Sequence, residues 1–85
     1  MEQCYNKLEQ LMEEGKVIRA TCRTQNTQIE ITGKVRLVWN INKILSLSIS
    51  GMLVIIDSIV GFETENNTLK IRINAESEII IKILK

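Results

Sequence analysis

Apolar residues recur at two different spacings along this 85-residue chain, and the change falls at Gly15. Before it, Tyr5, Leu8, Leu11 and Met12 follow helical spacing, with Met1 and Cys4 extending the stripe. Glu2, Glu9, Glu13 and Glu14 occupy the opposite side. This predicts a helix over 2–14, stopped by Gly15 and followed by Lys16, where the helix dipole favours a cation. Beyond Gly15 the spacing is two. In KVIRATCRT, Ile18, Ala20 and Cys22 share one face, and Arg19, Thr21 and Arg23 the other. In IEITGKVRLVW, uninterrupted alternation puts Ile29, Ile31, Val35, Leu37 and Trp39 inward and Glu30, Thr32, Lys34, Arg36 and Val38 outward. Gly33 sits mid-strand, where a bulge or sharp bend is the usual reason for glycine.

Turn residues punctuate the rest: QNTQ at 25–28, NINK at 40–43, Ser50-Gly51 and ENNT at 65–68. Between them, ILSLSIS points Leu45, Leu47 and Ile49 inward and Ser46 and Ser48 outward, and LKIRIN alternates cleanly. MLVIID is apolar on both faces, which predicts a central strand. One helix and six or seven strands predict a mainly β, α+β domain spanning 1–85, with the helix in 1–15 and the β part in 16–85. The expected architecture is a strongly bent antiparallel sheet or small barrel with the helix packed on it. Leu8, Leu11, Ile31, Val35, Leu47, Val54 and Ile71 are its expected core.

The last ten residues, ESEIIIKILK, are also apolar on both faces. Ile79, Ile81 and Ile83 point one way, and Ile80, Lys82 and Leu84 the other. Read as an open edge, such a strand needs a cover. A second copy supplies one, which predicts a homodimer with Ile80, Lys82 and Leu84 at its interface.

Composition removes several functions. The chain has no histidine, so the commonest general base and zinc ligand is missing. Asp57 is the sole aspartate, and Glu13–Glu14 and Glu63–Glu65 are the close carboxylate pairs, read as solvated charge. The glycines at 15, 33, 51 and 61 form no phosphate-binding motif. No catalytic, metal or cofactor site is expected. Cys4 and Cys22 read as reduced thiols at apolar positions; nothing in their spacing demands a disulfide between them, although two cysteines allow one. The polar, acidic start MEQCYNKLEQ is unlike a signal peptide. No apolar run nears the ~20 residues needed to span a bilayer. The expectation is a cytoplasmic protein without membrane contact.

The net charge of +1 does not mark the whole molecule as a nucleic-acid binder. Arg19, Arg23, Lys34, Arg36, Lys70 and Arg72 nevertheless occupy outward strand positions. If their strands are neighbours, they form a basic face able to track a phosphate backbone. Stacking aromatics are missing from that face, because Tyr5, Trp39 and Phe62 read as inward or helical.

The element order, with Gly33-x-Val35-x-x-Val38 and Asp57-x-Ile59-Val60-x-Phe62-Glu63, resembles the YolD-like family of Sm-like small β-barrels over about residues 6–65. The resemblance implies a non-enzymatic accessory protein of phages and mobile elements. It would bind and modulate a DNA-processing enzyme, either a recombinase or integrase or a translesion polymerase. The stretch Trp39-Asn40-Ile41-Asn42-Lys43 lacks the Asp and Met-Asn of the RNA-reading loop in Sm-type rings. Two alternatives stand beside this reading: a small barrel binding nucleic acid through the basic face, and an oligomeric phage counter-defence protein holding a nucleotide.

Overall fold

Helix α1 (Glu2–Glu14) buries Cys4, Leu8 and Leu11 and leaves its glutamates toward solvent. It ends as the sequence predicts. Gly15 takes a left-handed φ of 65°. The Gly15 N–H then donates to the Met12 carbonyl at 3.2 Å and the Lys16 N–H to that of Leu11 at 3.4 Å. That pair of bonds satisfies carbonyls the helix would otherwise leave open. The computed structural model describes residues 2–42 and 44–84. Met1 of the helical stripe, Lys43 of the NINK turn and the terminal Lys85 lie outside them.

Seven strands follow: β1 (Val17–Arg23), β2 (Gln28–Ile41), β3 (Ile44–Ile49), β4 (Met52–Ile56), β5 (Gly61–Glu65), β6 (Thr68–Asn74) and β7 (Ser77–Ile83). They form one antiparallel sheet in the order β4-β3-β2-β1-β7-β6-β5. The domain is thus mainly β with one helix. The sheet is open, with β4 and β5 as its edges. It must nonetheless curl. Across a flat sheet these edges would stand about 29 Å apart. Yet only residues 57–60 separate Ile56 from Gly61, a reach of about 18 Å at full extension.

The curl is concentrated in β2. Its first half, Gln28–Lys34, pairs with β1, and its second half, from Val35, pairs with β3. Side chains from both halves meet α1 in one core that includes Leu8, Ile18, Leu45, Leu47, Ile49, Ile71 and Ile81. All the expected core residues are buried except Val54, which is half-buried against the same cluster. Tight turns carry the left-handed residues the sequence offers. Ser50 (φ 50°) and Gly51 (φ 85°) join β3 to β4, and Asn66 (φ 52°) helps join β5 to β6.

Three sequence expectations change. First, the β-bulge lies at Arg36, between Val35 and Leu37, and not at Gly33. One extra residue there shifts the alternation. Val38 turns inward and is buried, while Leu37 is left exposed, and Trp39 is half-buried but outside the core. Gly33 serves a different purpose: a Cβ there would collide with the Ser50 side chain. Second, MLVII is not central but forms the edge strand β4. Third, β7 is not an edge. It lies between β1 and β6, with Ile79 and Ile81 buried.

Candidate interaction surface

The six basic residues singled out from the sequence occupy exposed or half-buried positions; β1 and β2 are neighbours, but β7 separates them from β6. On the outer face, registers align Arg23 of β1, Glu78 of β7 and Arg72 of β6 in one row. Glu78 accepts an ion pair from Arg23 at 3.3 Å and another from Lys70 at 3.7 Å. Arg72 pairs with Glu63 at 3.3 Å. Three of the six cations are therefore matched by carboxylates. Arg19 lies between Thr32 and Lys82, Lys34 lies opposite Val17, and Arg36 sits in the bulge. The signs are mixed: Glu78 stands between Arg23 and Arg72, while Arg19 stands beside another cation, Lys82. A surface concavity beside Arg23, Lys70 and Arg72 also contains Glu78, a carboxylate where a phosphate would need a donor.

Of the residues expected at a dimer interface, Ile80 and Leu84 are half-buried and Lys82 is exposed. Because β7 is hydrogen-bonded on both sides, the open-edge argument for an interface there does not apply.

The bulge at Arg36 creates a surface the sequence pattern hid. Beyond it, the outer face of β2, β3 and β4 is apolar. Registers set Leu37, Ser48 and Leu53 in one row and Trp39, Ser46 and Ile55 in the next, with Ile41 beside Ile44 at the end. Leu37 is 58% exposed, Ile41 61%, Leu53 54% and Ile55 61%. Large side chains on β2 and β4 thus form two ridges, and the serines of β3 form the floor between them. Ser46 is the one buried polar residue among those described, which fits its position between Trp39 and Ile55. Isolated exposed apolar side chains are ordinary, whereas a contiguous group of this kind is a candidate interaction surface.

The thiols are both free. Burial pushes the Cys4 thiol up to about 11 from its ordinary 9.0, and raises that of Cys22 as well. Cys4 therefore stays protonated at pH 8, with about a hundredfold less thiolate than an unperturbed cysteine. Mass mapping after brief iodoacetamide treatment at pH 8 is expected to find Cys4 unmodified in native protein and fully modified in urea. Rapid native labelling of Cys4 would contradict its burial under α1. Among the described residues, no three His, Cys, Asp or Glu side chains gather as a metal site would require, and no helix is long and apolar enough to cross a membrane.

The chain matches no family model, no curated protein and no solved structure.

Proposed function

We propose that this protein is a non-enzymatic binding module that docks on a protein partner through the outer face of β2, β3 and β4. The observation that carries this reading is the ridge–floor–ridge surface built by Leu37, Trp39, Leu53 and Ile55 around Ser46 and Ser48. Its centre combines a tryptophan, a residue type enriched among interface hot spots, with aliphatic side chains and no charge, in keeping with the depletion of charge at interface centres. A chain without histidine and without a Gly-rich phosphate loop has few means of catalysis, which supports the same reading.

The YolD-like resemblance gives the partner a class: a recombinase or integrase, or a translesion polymerase, in a phage or mobile-element setting. The finer fold reading, a small Sm- or SH3-like barrel whose seam stays open between β4 and β5, belongs to this proposal as well. Direct nucleic-acid binding is the weaker reading, because carboxylates match half of the candidate cations.

Parallel capture from the native host with the wild-type chain and with Leu37→Lys tests the proposal. Leu37 is exposed, so the substitution leaves the core intact. A DNA-processing enzyme is expected to be retained by the wild-type chain and depleted at least about tenfold by the variant, the effect of losing roughly 1.4 kcal/mol of binding. Equal retention by both would remove the outer face from the interaction. Tight DNA binding that falls steeply with salt, in the absence of any protein partner, would replace this proposal with the nucleic-acid reading.

A further inference from the structure

The two edges of the sheet differ in chemistry. Edge strand β5, GFETE, carries Glu63 and Glu65, both exposed, and charges of this kind discourage strand addition. Edge strand β4, MLVII, carries no charge, no proline and no bulge in its pairing with β3. Its backbone is open in a defined pattern. Ile49 and Met52 flank the two-residue Ser50-Gly51 turn, so they form a hydrogen-bonded pair. Alternation then directs the backbone groups of Met52, Val54 and Ile56 toward β3. Those of Leu53 and Ile55 point away from the sheet, and no described residue bonds to them there. The same two residues present the exposed side chains on the β4 ridge.

We infer that two copies of this chain pair through β4, antiparallel, about a two-fold axis at Val54. In that register Leu53 faces Ile55 of the second copy with both backbone bonds exchanged, Val54 faces its own equivalent, and Met52 faces Ile56. Each position meets an apolar residue of similar size, and every exposed donor and acceptor of Leu53 and Ile55 is used. The strand is therefore complementary to itself, which is the requirement of a symmetric interface. No charge enters the paired segment, since Asp57 lies opposite Gly51, and a net charge of +1 per chain opposes association little.

The consequence concerns the outer face. Three strands about 4.8 Å apart and about 17 Å long offer one copy a footprint of roughly 240 Å². That is a flat projection; even with side-chain relief it falls short of the roughly 800 Å² of accessible surface that a stable interface takes from each partner. A two-fold axis perpendicular to the sheet sets both outer faces on the same side, so pairing doubles the apolar footprint into one continuous surface. The pairing does not depend on which partner that surface takes, and it is tested without one.

Light scattering on the purified chain at high micromolar concentration is expected to give twice the 9.7 kDa chain mass. Ile55→Pro removes an N–H that the fold itself does not use, so it should leave the circular dichroism unchanged and yield monomers. Leu53→Lys should do the same by placing a charge in the pair. A readout that needs no disruption is Val54→Cys with Cys4→Ala and Cys22→Ala. Its own mate would stand across a non-hydrogen-bonded pair at a Cα separation of about 4.5 Å, within the range of a disulfide. Oxidation should cross-link this variant nearly completely, and should cross-link Leu53→Cys in the same background far less. A monomeric mass overturns the inference. So does a dimer that survives both edge substitutions and fails to cross-link at position 54.

Discussion

Replacing Gly33 with valine is expected to abolish the cooperative fold, and replacing it with alanine to weaken it by about 1–3 kcal/mol, the usual range for overpacking. The reason is a close approach and not an unusual backbone angle. Gly33 is paired with Ile18, next to the end of the β1–β2 ladder where β2 passes to β3. The β3–β4 turn folds back onto it. Ser50 donates its hydroxyl to the Thr32 carbonyl at 3.0 Å, and a Cβ on Gly33 would stand only 3.0 Å from the Ser50 Cβ, besides colliding with its hydroxyl oxygen. Rotation of the Ser50 side chain can carry the hydroxyl away only by breaking its bond to Thr32, and the Cβ–Cβ contact stays tight unless the turn itself shifts. Valine adds two methyl groups to that conflict. A domain of this size has only about 4–13 kcal/mol of stability to lose. Urea unfolding followed by tryptophan fluorescence measures the loss. The cause is separable, because Ser50→Gly removes both colliding atoms and suits the φ of 50° at that position. Gly33→Ala combined with Ser50→Gly should recover most of the stability lost by Gly33→Ala alone. A Gly33→Val protein with an unchanged unfolding midpoint would show that the turn does not press on β2.

What could be read from the sequence divides by the range of the interaction. The helix and its end at Gly15 were legible because spacing, dipole and left-handed glycine all act within a few residues. The turns at Ser50-Gly51 and Asn66-Asn67 were legible for the same reason. The faces of β2 beyond Val35 were not. Arg36 has no feature that announces a bulge, whereas Gly33, the conspicuous residue, marks a contact with a turn seventeen residues later. The two doubly apolar strands were both misplaced, and for one reason. Apolar side chains on both faces report what lies above and below a strand, while sheet order depends on the backbone edges at right angles to those faces. ESEIIIKILK became an internal strand and MLVII an edge. Pairing of β1 with β7 joins segments some sixty residues apart, and no local pattern carries that information. The same gap explains the basic face. The neighbouring positions of β1 and β2 were anticipated, but Glu78, which enters between Arg23 and Arg72, was not placed there. The apolar docking face lies entirely beyond the unannounced bulge. Its β4 ridge was legible in the two apolar faces of MLVIID, but its β2 ridge was not.

Leu47→Ala is expected to destabilise the protein by about 2–4 kcal/mol, and Leu37→Ala by less than about 0.5 kcal/mol. The two substitutions remove the same atoms, so the difference isolates position. Leu47 is 1% exposed, directed into the core beside Leu45 and Ile49, and paired with Val38 of β2. Truncation there loses the transfer energy of the side chain and leaves a cavity that close-packed neighbours on the curled sheet and α1 can only partly fill. Leu37 sits one residue past the bulge on the outer face, where water already reaches most of its surface. Uninterrupted alternation along β2 would make Leu37 a core residue alongside Val35 and leave Val38 outside. The pair of variants therefore weighs the bulge at Arg36 against a regular strand, using urea midpoints at constant slope. If Leu37→Ala proved as costly as Leu47→Ala, the register beyond Arg36 would have to shift by one. That shift would turn Trp39 inward, empty the outer face of its anchor, and withdraw the docking surface with it. A small loss at Leu37 keeps the bulge and leaves that side chain free for a partner.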